Sequence, residues 1–281
     1  MRPLVSITLP TYNRCKWLQE SLESIYQQKG VRKQLIILNN GCTDDTFEVI
    51  KNIRYQCFEE INVIGCDQNS IDNIPQMHRF INGDFVVEFT DDDVMLPGHL
   101  ATLLYQFDRP NVGMAYCMAQ CIDANGKPDG LFKGEAPGDS LMESFLTTSI
   151  AVMPATMIKR ECFDLSISHS LSCGGEWSRH IEIVMQGYDI KFVKEPGINL
   201  RIHGDSDTQK RGFKMGKFID MHLRTWEYWI CQRGVQVSEP TKEKMRNIYV
   251  NLLMFAEKDL PTIRIEMCKL NTILEGTWHK T

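Results

Sequence analysis

The chain has 281 residues, of which 43% are hydrophobic and 24% charged, and its formal net charge is −5. That length suits one large domain, or one domain with a small appendage. The acidic balance excludes a general pull toward nucleic acid or anionic membrane, and no stretch approaches the ~18 apolar residues of a membrane span. The ten cysteines include no C-x-x-C pair and no Cys/His cluster with zinc spacing. They read as reduced, mostly core thiols of a cytosolic protein. Met1 to Pro10 is too short an apolar run for a signal peptide.

Leu4 to Leu9 reads as a buried strand: short, β-branched and ended by Pro10. From Lys16 to Gln28, apolar residues at Trp17, Leu18, Leu22, Ile25 and Tyr26 recur at helical spacing, with Gly30 closing. Leu35 to Leu38 is a second buried strand, followed by the turn Asn39-Asn40-Gly41. Thr43 is placed as the N-cap of a helix carrying Thr46, Val49, Ile50 and Ile53. Ile61 to Ile64 is a third strand. A helix over Ile71 to Phe80 tolerates Pro75 in its first turn, and Gly83 ends it. Phe85 to Phe89 is a strand, Gly98 to Phe107 a helix, and Val112 to Cys117 a strand. Such regular alternation argues for a parallel sheet with helices on both faces.

Beyond residue 120 the rhythm loosens. Asp123 to Gly126 is a turn signal. Leu141 to Ile150 reads as a helix, Ala151 to Ile158 as a strand, and Glu176 to Gln186 as a helix closed by Gly187. Ile190 to Val193 and Ile198 to Ile202 read as strands. From about Gly216 everything is helical, interrupted at Pro240 and Pro261, and a soft boundary falls near Thr208. In the helical tail, the cluster Met221, Trp226, Tyr228, Trp229 and Ile230 reads by default as core packing.

Asp91-Asp92-Asp93 stands at the end of the strand that closes on Phe89, with Pro97 four residues on. Adjacent carboxylates repel unless a positive group sits between them. A hard divalent cation prefers oxygen ligands and often shares them with phosphates. Open α/β sheets bind ligands beyond the carboxyl ends of their strands. The run therefore suggests a metal–diphosphate site; the competing reading is a solvated acidic turn.

Four separated segments, Pro10-Thr11-Tyr12-Asn13-Arg14, Asn39-Asn40-Gly41-Cys42-Thr43-Asp44, Thr90-Asp91-Asp92-Asp93 and Gly175-Glu176 with Gly187-Tyr188 behind it, match one pattern. Arg201-Ile202-His203-Gly204 is a fifth. In order and spacing, the chain from about residue 3 to 205 resembles the inverting glycosyltransferases of family 2, which have the GT-A fold. The resemblance implies a Rossmann-like, mostly parallel sheet flanked by helices. It implies a GT-A domain over residues 1–207, with a nucleotide-sugar half to about 118 and an acceptor half over about 119–207. A C-terminal basic loop and helical extension would cover residues 208–281.

By the same resemblance, Pro10 and Tyr12 pack the nucleotide base, an aromatic face giving stacking area at little entropic cost. Arg14 belongs to the same nucleotide-sugar loop. Asn40 stands where the family usually reads the base edge with an aspartate; an amide can both accept from a pyrimidine N3–H and donate to a ring carbonyl. UDP- or dTDP-sugars are the favoured donors. Thr90 replaces the first aspartate of the family's Asp-x-Asp motif. Asp91 resembles the ribose-contacting residue, and Asp92 the ligand of a Mn²⁺ or Mg²⁺ that bridges the diphosphate. Asp93 is the following acidic position at the metal, and His203 resembles a histidine near the diphosphate or metal.

Glu176, eleven residues before Gly187, falls where the family places its catalytic base, with desolvation beside Trp177 expected to raise its pKa. Lys210 and Arg211, in the basic stretch to Lys217, are expected to form a mobile loop closing over the diphosphate. The activity implied is inverting transfer of one sugar from a nucleotide-diphosphate sugar to a glycan or lipid-linked glycan, in bacterial surface polysaccharide assembly. It would proceed in the cytoplasm or at the inner face of the membrane. Peripheral membrane contact and a homo-oligomer through the C-terminal helices are left open.

Two other readings compete with this one. A nucleotidyltransferase would need a glycine-rich, cationic loop after the first strand, and Pro10 to Cys15 has no glycine. A catalytically inactive sugar-nucleotide-binding sensor or scaffold subunit would tolerate Thr90 and the paired asparagines.

Overall fold

The computed structural model describes residues 2–164, 175–204, 215–256, 258 and 260–276. The chain divides into two units, one of Met1–Ala136, Ile150–Ser166 and Ile183–Ile202, the other of Pro137–Ser149, Ile167–Glu182 and His203–Thr281.

The first unit is built on one mixed sheet. Its strands are β1 (Leu4–Thr11), β2 (Arg32–Asn40), β3 (Glu60–Cys66), β4 (Phe85–Glu88), β5 (Val94–Met95), β6 (Val112–Ile122), β7 (Pro128–Lys133), β8 (Thr156–Lys159) and β9 (Asp189–Arg201). They lie in the order β3-β2-β1-β4-β8-β6-β9-β5, with β7 on β6. The first four are parallel, as the alternating pattern predicts. Beyond them the expected parallel order gives way. β8 runs antiparallel between β4 and β6, β6 and β9 are parallel, and β5 and β7 add antiparallel pairs.

β1 and β2 read as near-continuous apolar runs because both of their faces are covered. Val5, Ile7, Leu9, Leu35, Ile36, Ile37 and Leu38 are fully buried. Leu18, Leu22 and Ile25 of α1 (Cys15–Tyr26) pack into the same core. Lys33 is a buried cation in that apolar strand. Its Nζ donates to the carbonyls of Ile25 (2.9 Å) and Gln28 (2.8 Å), so it closes the C-terminal end of α1.

The remaining helices of this unit include α2 (Thr46–Lys51), α3 (His99–Tyr105) and α5 (Arg160–Asp164); α4 (Leu141–Thr147), between α3 and α5 in the chain, belongs to the second unit. Thr43 is not the cap of α2. The cap position falls on Asp45, which makes no side-chain cap bond; Asp44 Oδ1, one residue earlier, accepts from Thr46 N at 3.1 Å, while Thr43 N donates to Asn13 Oδ1 at 2.7 Å. The predicted helix over Ile71–Phe80 is a 3₁₀ run, begun by Ser70 Oγ accepting from Asp72 N. The two strands expected at 190–193 and 198–202 are one strand, β9. The sequence pattern did not suggest the short strands β5 and β7, which pair with β9 and β6 respectively.

The second unit is helical: α4 (Leu141–Thr147), the start of α6 (Gly175–Met185), α7 (Met215–Trp226) with a π-helical extension over Glu227–Gln232, α8 (Glu239–Phe255) and α9 (Leu260–Leu274). Pro240 and Pro261 lie in the first turns of α8 and α9, so they open helices rather than interrupt them. Glu143 of α4 accepts from Ser238 N (2.8 Å), Ser238 Oγ (3.0 Å) and Thr241 Oγ1 (2.7 Å), stitching α4 to the start of α8. Trp226 and Trp229 are fully buried and Met221 and Ile230 nearly so, which makes the aromatic cluster core packing. Among the described residues no helix is long and apolar enough to cross a membrane. The nine described cysteines are free thiols, but only Cys117, Cys121 and Cys162 are buried. The expectation of mostly core thiols fails because the others sit in loops, at strand ends or on half-covered helix faces.

Gly41 (φ +78°) turns the chain at the end of β2, where a Cβ would stand 2.8 Å from Asn69 N. Gly41→Ala should cost about 1–3 kcal/mol in chemical denaturation, from left-handed strain and backbone contact together. A change under about 0.5 kcal/mol would show that the 67–70 segment yields freely.

Candidate functional site

β1, β2 and β4 run the same way, so their carboxyl ends reach one edge of the sheet. β1 lies between the other two. The chain leaves β1 toward β2 on one side and returns through β4 on the other, the arrangement that opens a crevice at strand ends. Three loops meet there: Tyr12 to Arg14, Gly41 to Asp45, and Phe89 to Asp93.

Asn13 sets the first loop. It has φ +50°, the one non-glycine residue with positive φ among those described. Asparagine tolerates that region because its short amide bonds locally. Its Oδ1 accepts from Thr43 N at 2.7 Å, and its own N donates to Cys42 Sγ at 3.3 Å. This fixes the backbone just before Arg14, which reaches across to the third loop. Arg14 Nη1 lies 2.8 Å from Asp91 Oδ1 and 3.0 Å from Asp92 Oδ2. Tyr12 N donates to Asp91 Oδ2 at 3.3 Å. The Tyr12 side chain is 40% exposed, which leaves ring surface available, and Pro10 sits opposite Leu38 in the β1–β2 ladder.

The three aspartates are all buried, and each is satisfied differently. Asp93 turns inward: its Oδ1 accepts from Arg201 N at 2.7 Å, and its Oδ2 accepts from the Thr90 hydroxyl. Both of its oxygens are therefore engaged by the protein. Arg201 is 4% exposed. Its Nε donates to Asp92 O (2.7 Å), its Nη1 to the carbonyls of Asp123 and Ala124 (3.3 Å each), and its Nη2 pairs with Glu20 (2.6 Å). One guanidinium thus ties β9, the β6–β7 turn and α1 to the aspartate loop.

Burial raises the Asp91 carboxyl from its ordinary 3.8 to about 6, against the pull of Arg14. Burial and the neighbouring Asp92 charge raise Asp93 to about 7, against the Thr90 and Arg201 hydrogen bonds.

Asn40 is buried, and its amide is engaged at both ends. Nδ2 donates to Asn69 Oδ1 (2.8 Å) and Ser70 O (3.1 Å). Oδ1 accepts from Asn73 Nδ2 (2.7 Å) and Ser70 N (3.3 Å). It holds the segment after β3 against the end of β2.

Glu176 and His203 belong to the second unit. Glu176 is exposed in the first turn of α6, whereas Trp177 is buried, with its indole N–H donating to Phe145 O and its ring 5.0 Å from His222. The expected desolvation of Glu176 by Trp177 is therefore not found; neighbours on a helix diverge by about 100°. His203 is buried. Lys210 and Arg211, and the expected loop up to residue 214, lie outside the described residues, while residues 215–217 begin α7.

Among the described residues no three His, Cys, Asp or Glu side chains gather as a metal-holding group. A cation that arrives with a diphosphate does not need one, since Mg²⁺-type sites commonly use one or two carboxylates with substrate phosphates and water. Asp92, a buried hard oxygen donor whose Oδ2 faces Arg14 at the carboxyl edge of the sheet, fits that mode, whereas Asp93 is turned to Thr90 and Arg201. The sequence pattern assigns no individual role at the site to Arg201, Asn13 or Glu20. A charged residue at the end of an apolar strand was the available signal for Arg201, because such a charge must find partners.

Residues 6–164 match the sequence model of the family described as Glycosyl transferase family 2. The chain is 27% identical over 177 residues to a GalNAc(5)-diNAcBac-PP-undecaprenol beta-1,3-glucosyltransferase of Campylobacter jejuni, covering 58% of this chain and 55% of that protein. It is 28% identical over 219 residues to chondroitin synthase of Pasteurella multocida, covering 74% of this chain and 22% of that protein. The chain thus spans about half the length of the first relative and less of the second. Among solved structures, S. aureus TarS residues 1–349 in complex with UDP-GlcNAc superposes with a TM-score of 0.67 at 15% identity, covering 98% of this chain and 82% of that one. The mannosyltransferase PcManGT from Pyrobaculum calidifontis, in complex with GDP-Man and Mn²⁺, gives 0.61 at 16% identity, covering 100% and 89%. These likenesses establish the GT-A-like fold.

The raised carboxyls make stability depend on pH. Between about pH 4 and 7 the folded state binds more protons than the unfolded chain, so this contribution is largest at the acid end and declines as pH rises. Asp93→Asn keeps an acceptor for Arg201 N and offers Thr90 a donor. It should be near neutral at pH 5 and stabilising by about 1–3 kcal/mol at pH 8 in urea titrations. Equal destabilisation at both pH values would overturn this account of Asp93.

Proposed function

The chain belongs to glycosyl transferase family 2, and from that premise we propose that it transfers a single sugar from a nucleotide-diphosphate donor to a hydroxyl group, with inversion at the anomeric carbon. UDP- and dTDP-sugars are the favoured donors, and a glycan or lipid-linked glycan is the acceptor. The observation that carries the reading is the meeting of Tyr12, Arg14, Asp91 and Asp92 at the carboxyl edge of β1 and β4.

In this reading the exposed Tyr12 ring stacks on the base, beside Pro10. Asp91 contacts the ribose, and Arg14 supplies positive charge to the diphosphate, joined by Lys210 and Arg211. Asn40 acts on the base through the segment it holds, since its own amide is already engaged. Asp92 would hold a Mn²⁺ or Mg²⁺, with His203 and Asp93 assigned near it; PcManGT is described with Mn²⁺. Such an ion, when bound, neutralises charge growing on the departing diphosphate.

Glu176 takes the proton of the acceptor hydroxyl as that oxygen bonds to the anomeric carbon. The bond from that carbon to the diphosphate oxygen breaks, and its electron pair leaves with the nucleotide. Glu176 stands exposed in the first turn of an eleven-residue helix, whose N-terminus carries the positive end of the helix dipole. The undecaprenol-linked glycan and the chondroitin in the names of the relatives support a glycan-assembly setting, on the cytoplasmic side of the membrane.

Thermal-shift measurements with UDP-, dTDP-, GDP- and CDP-sugars, with and without Mn²⁺, test the donor assignment. Wild type should be stabilised by one base class in a Mn²⁺-dependent manner, and Asp92→Asn should lose that stabilisation and all turnover. Near-normal activity of the variant would overturn the metal assignment. Glu176→Gln should keep donor affinity and lose transfer by roughly a hundred-fold or more. Loss of donor binding instead would remove Glu176 from the base role. A wild-type protein that binds the nucleotide sugar and never releases the sugar would favour the sensor reading.

A further inference from the structure

We propose that Asn69 reads the base of the donor, and that Asn40 is the positioning residue that sets which end of the Asn69 amide faces it. The inference rests on the nucleotide-sugar reading above and narrows the base to a pyrimidine with a carbonyl at its 4-position. An asparagine amide has two donor and two acceptor places, and the protein fills all four in Asn40. Backbone groups, whose donor and acceptor roles are fixed, decide its orientation: Ser70 O accepts from Nδ2 at 3.1 Å, and Ser70 N donates to Oδ1 at 3.3 Å. Asn73 Nδ2 takes the second place on Oδ1 at 2.7 Å, and is itself oriented by donating to Gln68 O at 2.9 Å. The remaining N–H of Asn40 demands an acceptor, and Asn69 Oδ1 supplies it at 2.8 Å. That bond commits the Asn69 oxygen to Asn40 and leaves Nδ2, the donor branch of the amide, for a ligand. Asn69 is exposed, and its Nδ2 donates to no described group.

Strand order places this donor. β3 ends beside β2, with Cys66 opposite Asn40, and Asn69 follows three residues on. From the aspartates at the end of β4 the sheet runs through β1 and β2 to β3, neighbouring strands lying about 4.8 Å apart. A nucleoside whose ribose lies at Asp91 and whose base rests on Tyr12 turns the far edge of that base toward β3. In a pyrimidine the ring atom farthest from the ribose bond is C4, across the ring from N1. Uracil and thymine carry a carbonyl oxygen there, which accepts from Nδ2. Cytosine carries an amino group there, which sets donor against donor and leaves both unpaired.

Direct reading of the base by residue 40 predicts the opposite outcome for one substitution. An aspartate there can accept from a uracil N3–H, so direct reading has Asn40→Asp keep or sharpen a preference for uracil. In the orienting role the same change removes the donor that holds Asn69 Oδ1. The Asn69 amide then turns its Nδ2 to the new carboxylate and its oxygen to the base. The test is isothermal titration calorimetry of UDP and CDP, with Mn²⁺ present and no sugar, after circular dichroism has established that each protein is folded. Wild type should bind UDP more tightly than CDP by about tenfold or more, the scale of one matched against one mismatched hydrogen bond. Asn69→Asp keeps an oxygen for Asn40 Nδ2 and replaces the outward donor with an acceptor, so it should lose or reverse that ratio. Asn40→Asp should lose it as well. Equal affinities or a preference for CDP in wild type, or an unchanged ratio in Asn69→Asp, overturns Asn69 as the reading group. A preference for UDP that survives in Asn40→Asp overturns the orienting role of Asn40. Binding of neither diphosphate by any of the proteins overturns the donor assignment beneath both.

Discussion

The organising constraint of the first unit is the burial of three consecutive carboxylates at the end of one strand. Side by side and out of water, Asp91, Asp92 and Asp93 would repel one another strongly, so the surroundings are built to separate their fates. Asp93 is turned into the protein onto Thr90 and Arg201, whereas Asp91 and Asp92 share Arg14. This division sorts a supporting carboxylate from two that line the crevice. It also explains why two arginines distant in sequence, one at the start of α1 and one at the end of β9, converge on a single loop.

The sheet topology serves the same arrangement. The parallel order β3-β2-β1-β4 brings the β1, β2 and β4 loops to one edge, and the antiparallel pairing of β5 with β9 holds the chain immediately after Asp93. Thus the mixed second half of the sheet, which adds no nucleotide-type crossover, still bears on the crevice by fixing where the aspartate loop stands. Asn13 and Asn40 act in the same way on the other two loops. Each uses its amide to tie one strand end to a neighbour, so all three loops are braced by side-chain hydrogen bonds rather than by ladder bonds.

Much of this was legible in the sequence because the relevant signals are local. The β1 and β2 runs, the α1 periodicity and the aspartates after β4 each carry their own pattern, and the family motifs fix their order. What escaped the reading depends on long-range pairing. β5 is only two residues long and exists because β9 lies beside it. β7 carries little apolar content, with every residue exposed. Asn39-Asn40-Gly41 reads as a turn, which it is, but nothing local reveals that the Asn40 amide is taken up by Asn69, Ser70 and Asn73. Likewise Trp177 was expected to face Glu176, and its partners, Phe145 and His222, come from segments over thirty residues away on either side.

The same tryptophan ties the second unit together. Its ring rests on His222 of α7, which in turn stacks edge-on against Trp226, while α8 is clamped to α4 through Glu143. The opening turn of α6, where Glu176 projects, therefore has the C-terminal helices as its backing plate. On the proposed role of Glu176 as the base, substitutions in that distant tail would alter transfer through the pitch of this turn, from residues that no substrate touches.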